Sequence, residues 1–271
     1  MLPNRTALLL VGWALAWLIG GALLLQPVLG LFPDSGGAAA LTTSVLGMSG
    51  AGLLLAEAVR RTEGWSSAST WGLRRPPAGL GPWIAVLLGT VAWGFVGSWV
   101  GALVWEVVQE WTDLFSQPHL ELIAGPLLEG PVPQRILWAA VIVVLGPVLE
   151  ELIFRGFLWR GLGGDERPLR ALVLTSLFFS LFHVHPEQAS GILPLALFLG
   201  LLRWWGGLGA PLLAHVVNNG LSVLFFLSGD QEVAGSWALL VSLFVGTGAA
   251  ALVASRRPRT PHEEGASTLL E

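Results

Sequence analysis

Apolar stretches of about 20 residues recur along nearly the whole chain, and this feature removes most of the folds open to a polypeptide. A bilayer core about 30 Å thick is crossed by about 20 helical residues. Within it, every backbone N–H and C=O must find a partner inside the protein. Repeated windows of that length therefore predict an all-α fold, a polytopic transmembrane helix bundle. Eight spans are expected, at 7–31, 37–58, 82–107, 134–158, 169–185, 190–204, 210–228 and 236–254. The sixth is short and the fifth weakly delimited, so seven spans is the alternative. Composition agrees: 54% of the 271 residues are hydrophobic and 12% charged, against about 25% charged in soluble domains. The run from Thr6 to Phe32 is too long for the apolar region of a cleaved signal and reads as a retained helix.

Charge orients the bundle. Arg5, Arg60, Arg61, Arg74, Arg75, Arg160, Arg167, Arg170, Arg203, Arg256, Arg257 and Arg259 fall in segments that share one side if eight spans are counted. The opposite segments carry Asp34, Glu110, Asp113, Glu121, Glu129, Glu187, Asp230 and Glu232, with Arg135 at the edge of the fourth span. The positive-inside rule then places both termini in the cytoplasm. Residues 1–255 read as a single membrane-embedded domain, with a polar core at about 134–228, and 256–271, "RRPRTPHEEGASTLLE", as a disordered cytoplasmic tail. The chain has no Cys, which excludes disulfides and thiolate chemistry. It shows no internal repeat and no Gly-rich phosphate loop, and the expected surroundings are the lipid bilayer, with no nucleic acid partner.

Against this apolar background, "VVLGPVLEELIFRGFLWRGL" at 143–162 is costly. A charge near the middle of a membrane helix costs about 2.5–3.5 kcal/mol or more, and this stretch has Glu150, Glu151 and Arg155 within six residues. Glu151 and Arg155 are four apart, on one helical face, and can pair. Glu150 points about 100° away and must seek partners on other helices. Few exist. "FFSLFHVHP" carries His183, four residues after Phe179, and His185 beside Pro186, where a helix end near water is expected. "GAPLLAHVVNNG" carries His215 and Asn219 on a shared face, with Asn218 pointing elsewhere. A helix–helix clamp would explain each of these singly. One unpaired Glu, one His and a His/Asn pair on three helices point instead to a functional site.

The three segments, "EELIFR" at 150–155, "FSLFH" at 179–183 and "HVVNN" at 215–219, resemble in that order the EExxxR, FxxxH and HxxxN motifs of the CPBP family of intramembrane proteases. That family includes the type II CAAX prenyl endopeptidases and bacteriocin-immunity and lysostaphin-resistance relatives. "GLRRPP" at 72–77 and "GLGAPLLAH" at 207–215 are similar to its flanking sequence. The resemblance implies that Glu150 and His183 hold and activate a water, that His215 and Asn219 form an oxyanion site, and that Glu151, Arg155 and Phe179 support them. It also implies a membrane-associated peptide or protein substrate, either a prenylated C-terminus or a peptide precursor. The expected location is the plasma membrane of a prokaryote, with the site opening to the cytoplasm.

Such a mechanism needs a base, donors for an oxyanion and an acid for the leaving amine. Glu150 in an apolar setting suits both proton steps. No cofactor is expected. The alternative is a zinc enzyme with Glu150, His183 and His215 as ligands, although HExxH is absent from the chain. A non-catalytic transporter or an immunity protein acting by binding is the second alternative, weakened by the missing repeat. Depth raises one difficulty. Counted from Leu169, His183 lies about 21 Å into its helix, deeper than Glu150 or His215, so that helix must start late or tilt.

Overall fold

The computed structural model describes residues 79–112, 131–183, 185–228 and 236–256, together with 57, 60, 61, 64, 71, 72, 127 and 128. Among these residues the ordered elements are all helical. α1 is Leu80–Trp111. α2 is one continuous rod made of Val132–Ala140, Val141–Leu145, Gly146–Glu151, Leu152–Leu158 and Trp159–Gly161. α3 is Pro168–Phe182, α4 Pro186–Gly206, α5 Gly209–Leu227 and α6 Ser236–Ser255.

Proline sets several of these starts. Pro133, Pro168 and Pro186 occupy first turns, where a missing N–H costs nothing. Pro186 also explains the break between α3 and α4. It holds His185 extended, at φ −67° and ψ 124°, because the residue before proline is driven out of the helical region. Gly207, at φ 73°, ends α4 and lets α5 begin almost at once.

Among the described residues, five helices are long and apolar enough to cross a membrane: Leu80–Trp111, Arg135–Gly161, Pro186–Gly206, Gly209–Leu227 and Ala238–Ser255. The span expected at 169–185 is shorter than predicted. α3 has 15 residues, about 22 Å of helix, and does not cross by itself. It also begins at Pro168 as a regular helix, so the late start that would have relieved the depth of His183 does not occur. The spans expected at 7–31 and 37–58 lie outside the described residues apart from Glu57, as do the termini and most of the tail. Outward faces carry Ile84, Leu87, Leu88 and Val91 on α1, Leu224 and Phe225 on α5, and Val241 and Phe244 on α6, all exposed. In water a surface of this kind is a liability; in a bilayer it is the solvated face.

α4 is the hub, packed against α1, α3 and α5, while α1 is covered in turn by α6. The α1–α4 crossing depends on Gly97 and Gly101, four apart on α1. A Cβ on Gly97 would lie 2.0 Å from the Gly191 carbonyl oxygen, and one on Gly101 2.8 Å from that of Glu187. Such small-xxx-small spacing lets two backbones approach in lipid, where packing drives association. α3 is tied to α4 by hydroxyls: Ser176 donates to the Ala196 carbonyl at 2.8 Å and Ser180 to that of Ala189.

α2 departs from α-helical form twice, at Val141–Leu145 and Leu152–Leu158, both π-helical. Pro147 accounts for the first. It has no N–H to give the carbonyls one turn before it, and the Gly146 N–H reaches back to Val141 instead of Ile142. The Ile142 carbonyl thus has no ordinary helical donor. The Gly146–Glu151 segment carrying both carboxylates is bracketed by the two π segments, which are frequent at functional sites.

Candidate active site

Glu151 is the hub of the buried layer. It is fully buried, and its Oε1 accepts from Arg155 Nη1 at 3.0 Å and from His215 Nδ1 at 3.0 Å. The expected Glu151–Arg155 pair is present; the link from Glu151 to His215 is an addition that spacing along α2 could not reveal. Arg155, also fully buried, donates Nη2 to the Ala196 carbonyl at 3.1 Å and lies 4.3 Å over the Phe179 ring. The charge is thereby divided among a carboxylate, a carbonyl and an aromatic face, as a guanidinium in low dielectric requires.

His215, 1% exposed, uses its Nδ1–H on Glu151 and turns Nε2 toward Glu150, 3.6 Å from Oε2. Glu150 is the accessible carboxylate, with its side chain 22% exposed. The two adjacent glutamates therefore divide as their 100° separation predicts. Glu151 faces the packed interior, and Glu150 faces the open side. Gly146 lies one turn before Glu150, and a Cβ there would come 3.2 Å from the Val141 carbonyl oxygen and 4.0 Å from Oε1, the latter an ordinary contact.

His183 ends α3. Its own N–H turns to the Ser180 carbonyl, and its ring donates Nδ1–H to the Phe179 carbonyl at 2.8 Å. Nε2 is left with a lone pair. The ring is half-buried, in electrostatic reach of Glu150, His215 and Arg155. Phe179 is fully buried among the motif residues. Its ring meets those of His183, His215 and Phe154 edge-on at centroid distances of 4.9, 5.5 and 5.2 Å.

Asn219 shares the His215 face but is already committed. Its Nδ2 donates to the Ile142 carbonyl at 2.9 Å, filling the place Pro147 opens in α2. Its Oδ1 accepts from Asn218 Nδ2 at 3.3 Å. One Nδ2 hydrogen of Asn219 remains for a ligand. Asn218, expected to point elsewhere, touches Asn219 and packs so close to α1 that a Cβ on Gly94 would fall 2.4 Å from its Oδ1.

Two further expectations need correction. His185 does mark a helix end, but it is 8% exposed, stacked on Trp105 at 5.2 Å with Glu187 Oε2 3.9 Å from Nδ1. Trp105 takes the place of water there. Arg203, read as a cytoplasmic-side arginine at the end of the sixth span, is 2% exposed and donates Nε to the Arg155 carbonyl at 2.6 Å. Its signal in sequence was an arginine preceded by the apolar run "LALFLGLL" and followed by two tryptophans.

The zinc alternative has a geometric test. Among the described residues, no three His, Asp or Glu side chains come together as a metal-ligand set.

Residues 132–221 match the model of the family described as Type II CAAX prenyl endopeptidase Rce1-like. The matched segment runs from the start of α2 into α5 and contains Glu150, Glu151, Arg155, Phe179, His183, His215 and Asn219. It bears out the resemblance to CPBP-family proteases carried by the three motifs. No curated protein and no solved structure matches the chain.

Proposed function

We propose that the protein is an intramembrane endopeptidase in which Glu150 activates water against a peptide bond of a membrane-associated substrate. The observation that carries this reading is the meeting of Glu150 Oε2 and His215 Nε2 at 3.6 Å, between separate helices, with Glu150 the partly exposed partner.

Water held between Glu150 and the Nε2 lone pair of His183 loses a proton to the Glu150 carboxylate as its oxygen bonds to the scissile carbonyl carbon. The carbonyl electron pair moves to oxygen. That oxyanion is met by the remaining Nδ2 hydrogen of Asn219 and by Nε2–H of His215 in its doubly protonated form. The negative charge of Glu151, against Nδ1, balances that second proton. When the tetrahedral intermediate collapses, the C–N bond breaks and Glu150 returns its proton to the departing nitrogen. Arg155 and Phe179 hold Glu151 and the two imidazoles in place. The scheme uses no metal.

The positive-inside rule, applied to Arg160 and Arg167, puts the α2–α3 turn on the cytoplasmic side. From Gly161 back to Glu150 is about 16 Å of helix, and from Gly209 to His215 about 9 Å. The site then opens toward the cytoplasm of a prokaryotic cell, within the plasma membrane. The substrate is a prenylated C-terminus or a membrane-anchored peptide precursor.

Liposome-reconstituted protein assayed with an internally quenched S-farnesylated CAAX peptide tests this reading. Glu150→Gln should lower the rate by roughly 10²–10⁴-fold, and the wild type should keep its rate in strong chelator. Equal cleavage by the two proteins would refute the assignment, and restoration of a chelated enzyme by Zn²⁺ would refute the metal-free mechanism.

A further inference from the structure

Arg203 has no part in these steps, yet it is buried near the end of an apolar helix. Its contacts explain why. In the π segment Leu152–Leu158, the Trp159 N–H reaches the Phe154 and Gly156 carbonyls and passes over Arg155, the acceptor an α-helix would use. Arg203 Nε occupies that carbonyl at 2.6 Å. Ile142 has the same history at the other π segment, where Asn219 supplies the missing donor. The Glu150–Glu151 segment is thus fastened at both ends by side chains from other helices, Asn219 of α5 before it and Arg203 of α4 after it.

Arg203 is itself enclosed. Its guanidinium lies 5.3 Å over Trp159, and Gly72, at φ +58°, closes on it so tightly that a Cβ would fall 2.3 Å from Cζ. The Gly72 carbonyl accepts from Leu208 N–H at 3.0 Å, which anchors the loop residue to the α4–α5 turn. We propose that Arg203 is a positioning residue: held by Gly72, it fixes the rotation of α2 through the Arg155 carbonyl and so keeps Glu151 against His215. This rests on the endopeptidase reading for its effect on rate, but not for its effect on His215.

The test uses full-length protein in liposomes and the farnesylated CAAX peptide. Arg203→Ala should reduce kcat by roughly 10- to 100-fold, the range for a slight misplacement of reacting groups, with KM nearly unchanged. Gly72→Ala should reproduce the loss by displacing the guanidinium, and the double variant should be no worse than Arg203→Ala alone, because the two share one contact. Arg203→Lys, which retains the charge and a donor, should recover part of the rate. The second readout needs no substrate. In ¹⁵N-histidine spectra, the Nδ1–H signal of His215 should shift in Arg203→Ala and stay in place in Arg203→Lys. A wild-type rate in Arg203→Ala overturns the proposal. So does a rate lost with the His215 signal unmoved, which makes Arg203 a structural clamp only. If wild type and Glu150→Gln treat the peptide alike, the protease reading fails; the His215 signal then decides the positioning claim, an unmoved signal overturning it and a shifted one supporting it.

Discussion

Removing one charge from the Glu151–Arg155 pair should be far more harmful than removing both. At 3.0 Å, with both side chains fully buried, the pair's attraction at an effective dielectric near 20 is about 5 kcal/mol. Deleting one partner of a buried pair costs about 3–5 kcal/mol, chiefly because the other charge is stranded. Arg155→Met is expected at the upper end. Among the described residues, Glu151 would retain only the His215 Nδ1–H, and its Oε2 already lacks a hydrogen-bond partner there. Glu151→Gln is expected nearer the lower end, because Arg155 keeps the Ala196 carbonyl and the Phe179 face, and a neutral amide oxygen remains as acceptor. The double variant should be more stable than the two single losses added together by about 2 kcal/mol or more, since neither charge is then left alone. Reversible denaturant unfolding in mixed micelles, followed by tryptophan fluorescence, measures all four corners of the cycle without any substrate. Additive losses within about 0.5 kcal/mol, or single variants as stable as wild type, would show that the two residues do not act as one buried unit.

Three other outcomes are expected. Pro147→Ala restores an N–H at position 147 and lets the Val141–Leu145 segment return to α-helical bonding; the melting temperature should hold or rise while peptide cleavage falls. Asn219→Ala leaves the Ile142 carbonyl without its donor and should cost about 1–3 kcal/mol of stability in addition to lost cleavage, both measurable on one preparation. Gly97→Ala puts a methyl group 2.0 Å from the Gly191 carbonyl oxygen and should lower the melting temperature through the α1–α4 crossing, whereas Gly248→Ala, whose Cβ would meet nothing within 4 Å among the described residues, should not.

What could be read in sequence followed helical periodicity. The four-residue spacing of Glu151 and Arg155 gave their pair, and the 100° step to Glu150 gave its separate face. The spacing of His215 and Asn219 placed both on the side of α5 that meets α2. Periodicity fails where a helix stops being regular. The Gly146 and Trp159 N–H groups each skip a carbonyl, at Ile142 and Arg155, and the partners Asn219 and Arg203 lie 77 and 48 residues away. Such pairings depend on tertiary packing, which no local spacing encodes. Arg203 was misread for a related reason. An arginine at the end of an apolar run looks like a cytoplasmic flank, whereas Trp159 and the Arg155 carbonyl of α2, together with Gly72, enclose it. The length of α3 was overestimated because "HVHP" continues the apolar run in composition, while Pro186 ends the helix in geometry.

The ring of Phe179 makes and accepts no hydrogen bond, yet it sets the spacing of everything that does. It stands edge-on to both imidazoles and beneath the guanidinium, like a spacer washer between parts supplied by three helices. Leucine there would keep the oil and lose the thickness. The motif's one inert member is therefore the place where the size of the reaction chamber could be retuned without altering any group that handles a proton.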